Sequence, residues 1–137
     1  MKIVDELYHN LFLQIPSETL IEMLERIKQQ KEQEIEHIKQ KINKYQQKKS
    51  AEEALYQSMS PLRKFFTGRP ASHHQAVEYI VHVKERLKLI EKIKQRITEL
   101  DHILTTLRTN LSENEIVLSN AVIDELKQLR EMEELQE

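Results

Sequence analysis

Two long stretches with an apolar residue every three or four positions constrain the fold of this chain more than any other feature. The first covers about residues 18–59 and the second about residues 73–110. The short segment between them contains Pro61, Pro70 and Gly68, the only glycine of the sequence. Apolar side chains at this spacing share one face of a helix, and a short connection makes consecutive helices antiparallel neighbours. The sequence therefore predicts an all-α fold built around a long antiparallel helical hairpin.

Charged residues interrupt the apolar seam of the first predicted helix, although its register is otherwise close to the heptads of a coiled coil. These residues are Lys28, Lys31, Lys49 and Glu52. The second predicted helix has a more continuous apolar face, which is broken only at Arg86. We therefore expect the second helix to be the strongest of the chain.

Shorter amphipathic segments flank the predicted hairpin on both sides. Residues 3–15 carry apolar side chains at helical spacing, and Pro16 discourages continuation of a helix. Ser112 followed by Glu115 matches a capping box, in which the two side chains satisfy free amides at the start of a helix. We therefore predict short N- and C-terminal helices that pack at the open end of the hairpin as a small bundle, within a single domain of residues 1–137.

The composition excludes several classes of catalytic and metal site. Without cysteine, the chain has no disulfide, thiol nucleophile or thiolate metal ligand. A single glycine cannot form a glycine-rich phosphate loop, and no Gly-x-Ser-x-Gly sequence is present. No apolar run approaches the roughly 18 residues that span a bilayer. We therefore predict a cytoplasmic, non-enzymatic protein that requires no cofactor and contacts no membrane.

The charges divide the chain into two parts of opposite sign. Residues 37–96 contain 14 Lys and Arg against 5 Asp and Glu, whereas the rest of the chain contains 7 against 18. Once folded back, the chain would present a basic arm, residues 37–96, on an acidic base, residues 1–36 and 97–137. The arm residues that we predict to contact an anion or a partner are Arg63, Lys64, Phe65, Phe66, Arg69, Lys84, Lys88 and Lys92.

Three interpretations of the basic arm are open at this point. The first is a small adapter or regulator whose arm binds an acidic surface of a protein partner, or the acidic base of another copy of this chain, plausibly as a homodimer. The second is a nucleic-acid-binding module, because helices with several Lys and Arg bind phosphates without sequence specificity. The third is that the charges only keep the helices in solution. We favour the first as the functional hypothesis.

The arm also carries more apolar surface than one thin partner helix can cover. The residues of this excess are Ala76, Val77, Tyr79, Ile80, Val81 and Val83. Either Phe65 and Phe66 pack on it, or it is the surface on which a dimer or another partner forms.

One row of possible metal ligands lies in the second predicted helix. His74, Glu78 and His82 recur every four residues and so line one face. Imidazole and carboxylate groups at this spacing can hold zinc or nickel. Histidines in an exposed helical row are more often only solvated, so we predict no metal cofactor and retain these three residues as the alternative.

The turn between the two long helices contains the sequence Phe66-Thr67-Gly68. This sequence resembles an aromatic variant of the Trp-x-Gly turn in the small secreted proteins of the type VII (Esx) pathway, whose members form helical-hairpin dimers. The resemblance covers residues 20–110. None of the tyrosines is followed four residues later by Asp or Glu, so the export signal of that family is missing. The resemblance implies a non-secreted partner or chaperone-type subunit with a helical hairpin.

Overall fold

Helices dominate the computed structural model, which describes residues 1–67, 72–110 and 112–136. The longest is α1, Ser17–Ser58, and it is followed by the short helix α2, Pro61–Thr67. A second long helical stretch begins with α3, Ser72–Tyr79, passes through a π-helical turn, Ile80–Lys84, and continues as α4, Glu85–Thr109. These bounds agree with the two long helices that the apolar spacing predicts.

The predicted N-terminal helix is wrong, because residues 3–15 belong to a small sheet. Strand β1, Lys2–Asp5, pairs antiparallel with β2, Leu11–Gln14. It also pairs in parallel with β3, Glu115–Leu118, so the strand order is β2-β1-β3. The description of the fold as all-α is therefore only approximate.

A tight turn between β1 and β2 explains why residues 3–15 do not continue as a helix. The Asp5 carboxylate accepts hydrogen bonds from the backbone N–H groups of Tyr8 at 2.6 Å, Asn10 at 2.9 Å and Leu7 at 3.1 Å. These bonds, that of Tyr8 above all, lower the pKa of Asp5 below its usual value. His9 follows with a φ angle of 53°, in the left-handed region, which reverses the chain. Side-chain bonds of this kind compete with the backbone bonds of a helix.

The predicted start of the last helix is also corrected. Glu115 begins strand β3 instead of the first turn of a helix, and helix α5 spans Asn120–Gln136. The cap of α5 comes from Ser119, whose hydroxyl accepts a hydrogen bond from the backbone N–H of Val122 at 3.4 Å. Pairing of the Ile116–Val117 segment with β1 fixes residues that the capping pattern assigned to a helix.

The chain divides into two compact units, and α1 and α4 each run through both of them. The first unit comprises Met1–Glu32 and Gln95–Glu137. Here the start of α1 packs on the end of α4, on α5 and on the sheet, around one apolar core. The buried members of this core are Ile3, Leu20, Met23, Leu24, Ile27, Leu100, Leu104, Leu107, Leu118, Val122, Ile123, Leu126 and Leu129.

The second unit comprises Gln33–Lys94. Within it, the later part of α1 runs alongside the stretch from α3 to the start of α4. Among the side chains of this unit that the structure describes, the buried apolar ones are Ile35, Ile38, Ile42, Val83, Ile90 and Ile93. A thin core of this kind leaves much of each helix facing solvent.

None of the described helices combines the length with the apolar character that crossing a bilayer requires.

Candidate functional site

Three β-branched side chains stand exposed at the start of the second long helical stretch. Val77 is 44% exposed, Ile80 is 43% exposed and Val81 is 54% exposed. We call these three residues the apolar patch. Side chains of this type are usually buried, and a cluster of them on one helix is a common mark of a contact surface.

The π-helical turn determines which side of α3 faces outward. Its defining bond runs from the backbone N–H of Glu85 to the carbonyl oxygen of Ile80, five residues back instead of four. The half-buried Arg86 donates a further hydrogen bond from Nη1 to the carbonyl oxygen of His82 at 3.4 Å. Each residue of this wider turn rotates about the helix axis by a smaller angle than a residue of an α-helix. The residues of α3 that share a face with given residues of α4 are therefore not those that a regular α-helix would place there.

The consequence is that α3 packs on α1 through polar side chains. The Glu78 carboxylate lies 2.6 Å from the Lys49 ammonium of α1. The ring of His82 stacks on Tyr45 of α1, with 4.6 Å between centroids and 15° between planes. Since these groups occupy the inner side, the apolar patch occupies the outer side of the same helix.

Electrostatics stabilise this polar contact. The hydrogen bond from Lys49 lowers the pKa of the Glu78 carboxyl below its usual value, and the same bond raises the pKa of Lys49. His74 adds a second contact to Glu78, at 3.0 Å. Glu78 is therefore a carboxylate that is committed to the packing of α3.

These contacts give the alternative metal ligands another role. Glu78 pairs with Lys49 and His74, while the imidazole of His82 stacks on Tyr45. Over residues 1–67, 72–110 and 112–136, no group of three His, Asp or Glu side chains is arranged to hold a metal ion. Glu78 of α3 and His82 of the π-helical turn thus contact α1, and His74 contacts Glu78.

A row of lysines continues from the apolar patch along the same helical stretch. Lys84 ends the π-helical turn, and Lys88 and Lys92 follow at intervals of four residues on α4. All three are exposed, and Lys88 has an exposed ion pair with Glu85 at 3.7 Å. We call Lys84, Lys88 and Lys92 the lysine row. Together with the apolar patch it forms what we call the α3–α4 face.

The other predicted contact residues lie on a separate helix or outside the described chain. Arg63 and Lys64 belong to α2, and the Lys64 ammonium lies 5.2 Å from the centroid of the Tyr56 ring of α1. Phe65 and Phe66 also fall within α2, but their side chains are outside the described part of the structure, as is the whole of Arg69. The structure therefore brings together the three lysines of α4 and its preceding turn, not the full predicted set.

The type VII resemblance also depends on residues outside the described part. Gly68 of the Phe66-Thr67-Gly68 sequence is not among the described residues, and neither is the Phe66 side chain. The hypothesis of a chaperone-type subunit stays a prediction.

A groove of about 1190 Å³ lies within the second unit, between α1 and α3. Its described lining includes Tyr45 and Tyr56 of α1, Met59 just after α1, and Tyr79 of α3. Tyr79, which precedes Ile80 of the apolar patch, is 46% exposed.

Sequence reasoning missed the orientation of α3. A regular α-helix would keep Tyr79 and Val83 on the face that also carries Ile90, and only Val83 and Ile90 are buried. The available signal is Arg86, which interrupts that face two residues after the π-helical turn ends at Lys84. A polar break in an apolar face marks a position where helical phase can change.

No protein-family model, curated protein or solved structure matches this chain.

Proposed function

We propose that this protein is a non-enzymatic interaction protein, a small adapter or regulator that binds another macromolecule through the α3–α4 face. The observation that carries the proposal is the exposed apolar patch, Val77, Ile80 and Val81, followed on the same helical stretch by the lysine row. Apolar side chains supply burial energy in a contact, and the lysines select and orient an acidic partner.

The proposal takes α1 and the stretch from α3 to α4 as the two arms of an antiparallel helical hairpin. Contacts inside the second unit support this arrangement, since Tyr45 meets His82 while Lys49, four residues later, meets Glu78, four residues earlier. A hairpin of two thin helices leaves the outer side of each helix available to a partner.

The chemistry of the face favours a protein partner. A complementary surface has apolar side chains for Val77, Ile80 and Val81 and carboxylates for the lysine row. An amphipathic helix with leucine-type residues beside Glu or Asp provides both groups at matching spacing. We therefore propose an acidic amphipathic helix as the class of partner.

Nucleic acid is the second candidate, and the net positive charge of residues 37–96 favours it. Phosphates would pair with the lysine row and with other basic groups of the second unit. Such a contact uses the charges but not the apolar patch, because a phosphate backbone offers no apolar surface to bury. The two candidates therefore differ in what they require of Ile80 and Val81.

The proposal is tested by fluorescence anisotropy with defined probes. The first probe is a labelled synthetic helix with leucine along one side and glutamate along the rest, and the others are labelled single- and double-stranded DNA and RNA. Titrations at about 50 and 200 mM salt identify a contact with many phosphates, because the affinity of such a contact falls by orders of magnitude over this range. We expect saturable binding of the acidic helix and a weaker, steeply salt-dependent signal for nucleic acids.

Matched variants identify the surface that binds. The variant K84E/K88E/K92E should lose binding of the acidic helix, whereas K39E/K41E/K44E, an equal change of charge on exposed positions of α1, should retain it. Replacing Ile80 and Val81 with serine should weaken binding of the acidic helix and leave nucleic-acid binding unchanged. If only nucleic acid binds, or if both lysine variants behave alike, the proposed partner class is wrong.

A further inference from the structure

The outer side of α5 carries a line of acidic, polar and apolar residues. Asp124, Gln128, Glu131 and Leu135 follow one another at intervals of four, three and four, the spacing of one helical stripe. All four are exposed, and Leu135 reaches 87%. Met132, which is 50% exposed, stands beside Leu135. This stripe therefore has carboxylates towards its start and exposed apolar groups at its end.

On the α3–α4 face the apolar residues come first and the charged residues follow, which is the reverse of their order on α5. This face begins with the apolar patch, and the lysine row follows at intervals of four residues. An antiparallel helix with apolar residues at its end and carboxylates nearer its start would match it. The stripe on α5 fits in one register: Leu135 opposite Val81, Glu131 opposite Lys84, and Asp124 opposite Lys92. In this register Gln128 lies opposite Lys88, which already has Glu85 as a partner.

We infer that a second copy of this chain is a partner of the α3–α4 face and that it binds with the outer side of its α5. This inference rests on the function proposed above and names the partner within it. The contact joins different surfaces of the two copies, so it either closes into a ring of few copies or extends with concentration. Apolar contact between Leu135, Met132 and the apolar patch drives the association, and the opposed charges set its register.

A contact of two helices over about four turns is small for a protein interface. Such a contact is expected to bury less than the roughly 1,200 Å² of a standard-size complex, so we expect a weak association. Exposed ion pairs at its edge weaken with salt. The association is therefore expected only at high protein concentration and low ionic strength.

The experiment is a charge-swap mixing test with the full chain. One variant carries K84E and K92E, and the other carries D124K and E131K. Each variant alone opposes like charges and should sediment as a monomer of 16.4 kDa. In the mixture, each new Glu of the first variant lies opposite a new Lys of the second variant. The mixture should therefore associate as the wild type does. Sedimentation velocity at about 50 and 500 mM salt measures the weight-average mass.

Several outcomes would overturn the inference. A wild type that stays monomeric at low salt and high concentration contradicts self-association, and if this monomer still binds the acidic synthetic helix, only the proposed function stands. Self-association that survives in K84E/K92E alone places the contact elsewhere on the chain. A mixture of folded variants that fails to associate contradicts the register. K39E/K44E is the charge-matched control, and circular dichroism confirms that each variant is helical.

The apolar part of the contact has its own readout. L135S should reduce the low-salt association constant at least tenfold, whereas L7S, which changes another exposed leucine of the first unit, should leave it unchanged. Equal association of both variants with the wild type would contradict an α5 contact through Leu135.

Discussion

His9 stores conformational strain in the turn between β1 and β2. Its φ angle of 53° lies in the left-handed region, which costs a residue with a Cβ atom about 1–2 kcal/mol. Glycine adopts this region without that cost, although it loses more backbone entropy on folding. We predict that His9→Gly raises the free energy of unfolding by about 0.5–1 kcal/mol, as measured by urea denaturation.

The control for this prediction is the same substitution on a helix. His102 is exposed within α4, and His102→Gly should lower the free energy of unfolding by several tenths to about 1 kcal/mol. A His9→Gly protein that is less stable than the wild type would show that the turn does not hold residue 9 in the left-handed region.

We expect the packing of α3 to depend on pH through the contact between Glu78 and Lys49. The pKa of Glu78 is lower in the folded protein than in the unfolded chain, because Lys49 donates a hydrogen bond to the carboxylate. The stability that it contributes is therefore present above its ordinary pKa of about 4.3 and is lost as pH falls through the lower, folded value.

We predict that acidification destabilises wild-type protein more than Glu78→Gln. At neutral pH the variant should be the less stable of the two, and the difference between their melting temperatures should shrink towards pH 3. Thermal melts followed by circular dichroism at a series of pH values measure it. A difference that stays constant with pH would show that the Lys49 contact adds no stability.

Lysines in the apolar seam illustrate which features of single residues can be predicted from the sequence and which cannot. The interruptions at Lys28, Lys31 and Lys49 are visible in the sequence, but their partners are not. The structure pairs these lysines with carboxylates of other helices: Asp101 at 2.6 Å, Glu125 at 2.7 Å and Glu78 at 2.6 Å, respectively. Partners this distant along the chain depend on the register between helices, which local spacing does not determine.

At the scale of elements, the π-helical turn sets the orientation of α3. Because this turn holds one extra residue, a deletion within it should restore a regular α-helix without rotating α3 against α4. We predict that deletion of the exposed Val81 leaves the protein folded, with a melting temperature within a few degrees of the wild type. Thermal melts followed by circular dichroism test this prediction.

Deletion of Glu91 is the matched control in the same unit. Glu91 is exposed on a regular stretch of α4, and its removal rotates all later residues by about 100° relative to Ile90. Ile93 would then leave the apolar core, so this deletion should abolish a cooperative melt. Equal stability of the two deletions would contradict a π-helical turn at Ile80–Lys84.

The sequence predicts the long helices well and the short elements poorly. Over about 40 residues the apolar period is unambiguous, and the bounds of α1 match the prediction within one residue. Strands β1, β2 and β3 have four residues each, which is too short for the period of a helix to be distinguished from that of a strand. The pairing of β1 with β3 also joins residues from opposite ends of the sequence, which no local pattern contains.

The whole molecule consists of two units with different cores. The first unit encloses one large apolar cluster, whereas the described side chains of the second unit include six buried apolar residues along the helices. The division of the chain into a basic arm and an acidic base is predicted from charge counts alone. That residues 1–137 form a single domain also stays a prediction. The sequence identifies the lysine row as a candidate site and predicts excess apolar surface on the arm, but the π-helical turn, Ile80–Lys84, emerges only from the structure.

The central claim is that the α3–α4 face is the surface through which this protein acts. Residue-resolved amine labelling followed by mass spectrometry tests it most directly, with and without a saturating amount of the acidic synthetic helix at about 50 mM salt. We predict that Lys84, Lys88 and Lys92 become several-fold less reactive when the helix binds, while the exposed Lys39 and Lys41 of α1 keep their reactivity. Equal protection of both groups, or protection of the α1 lysines alone, would contradict the claim.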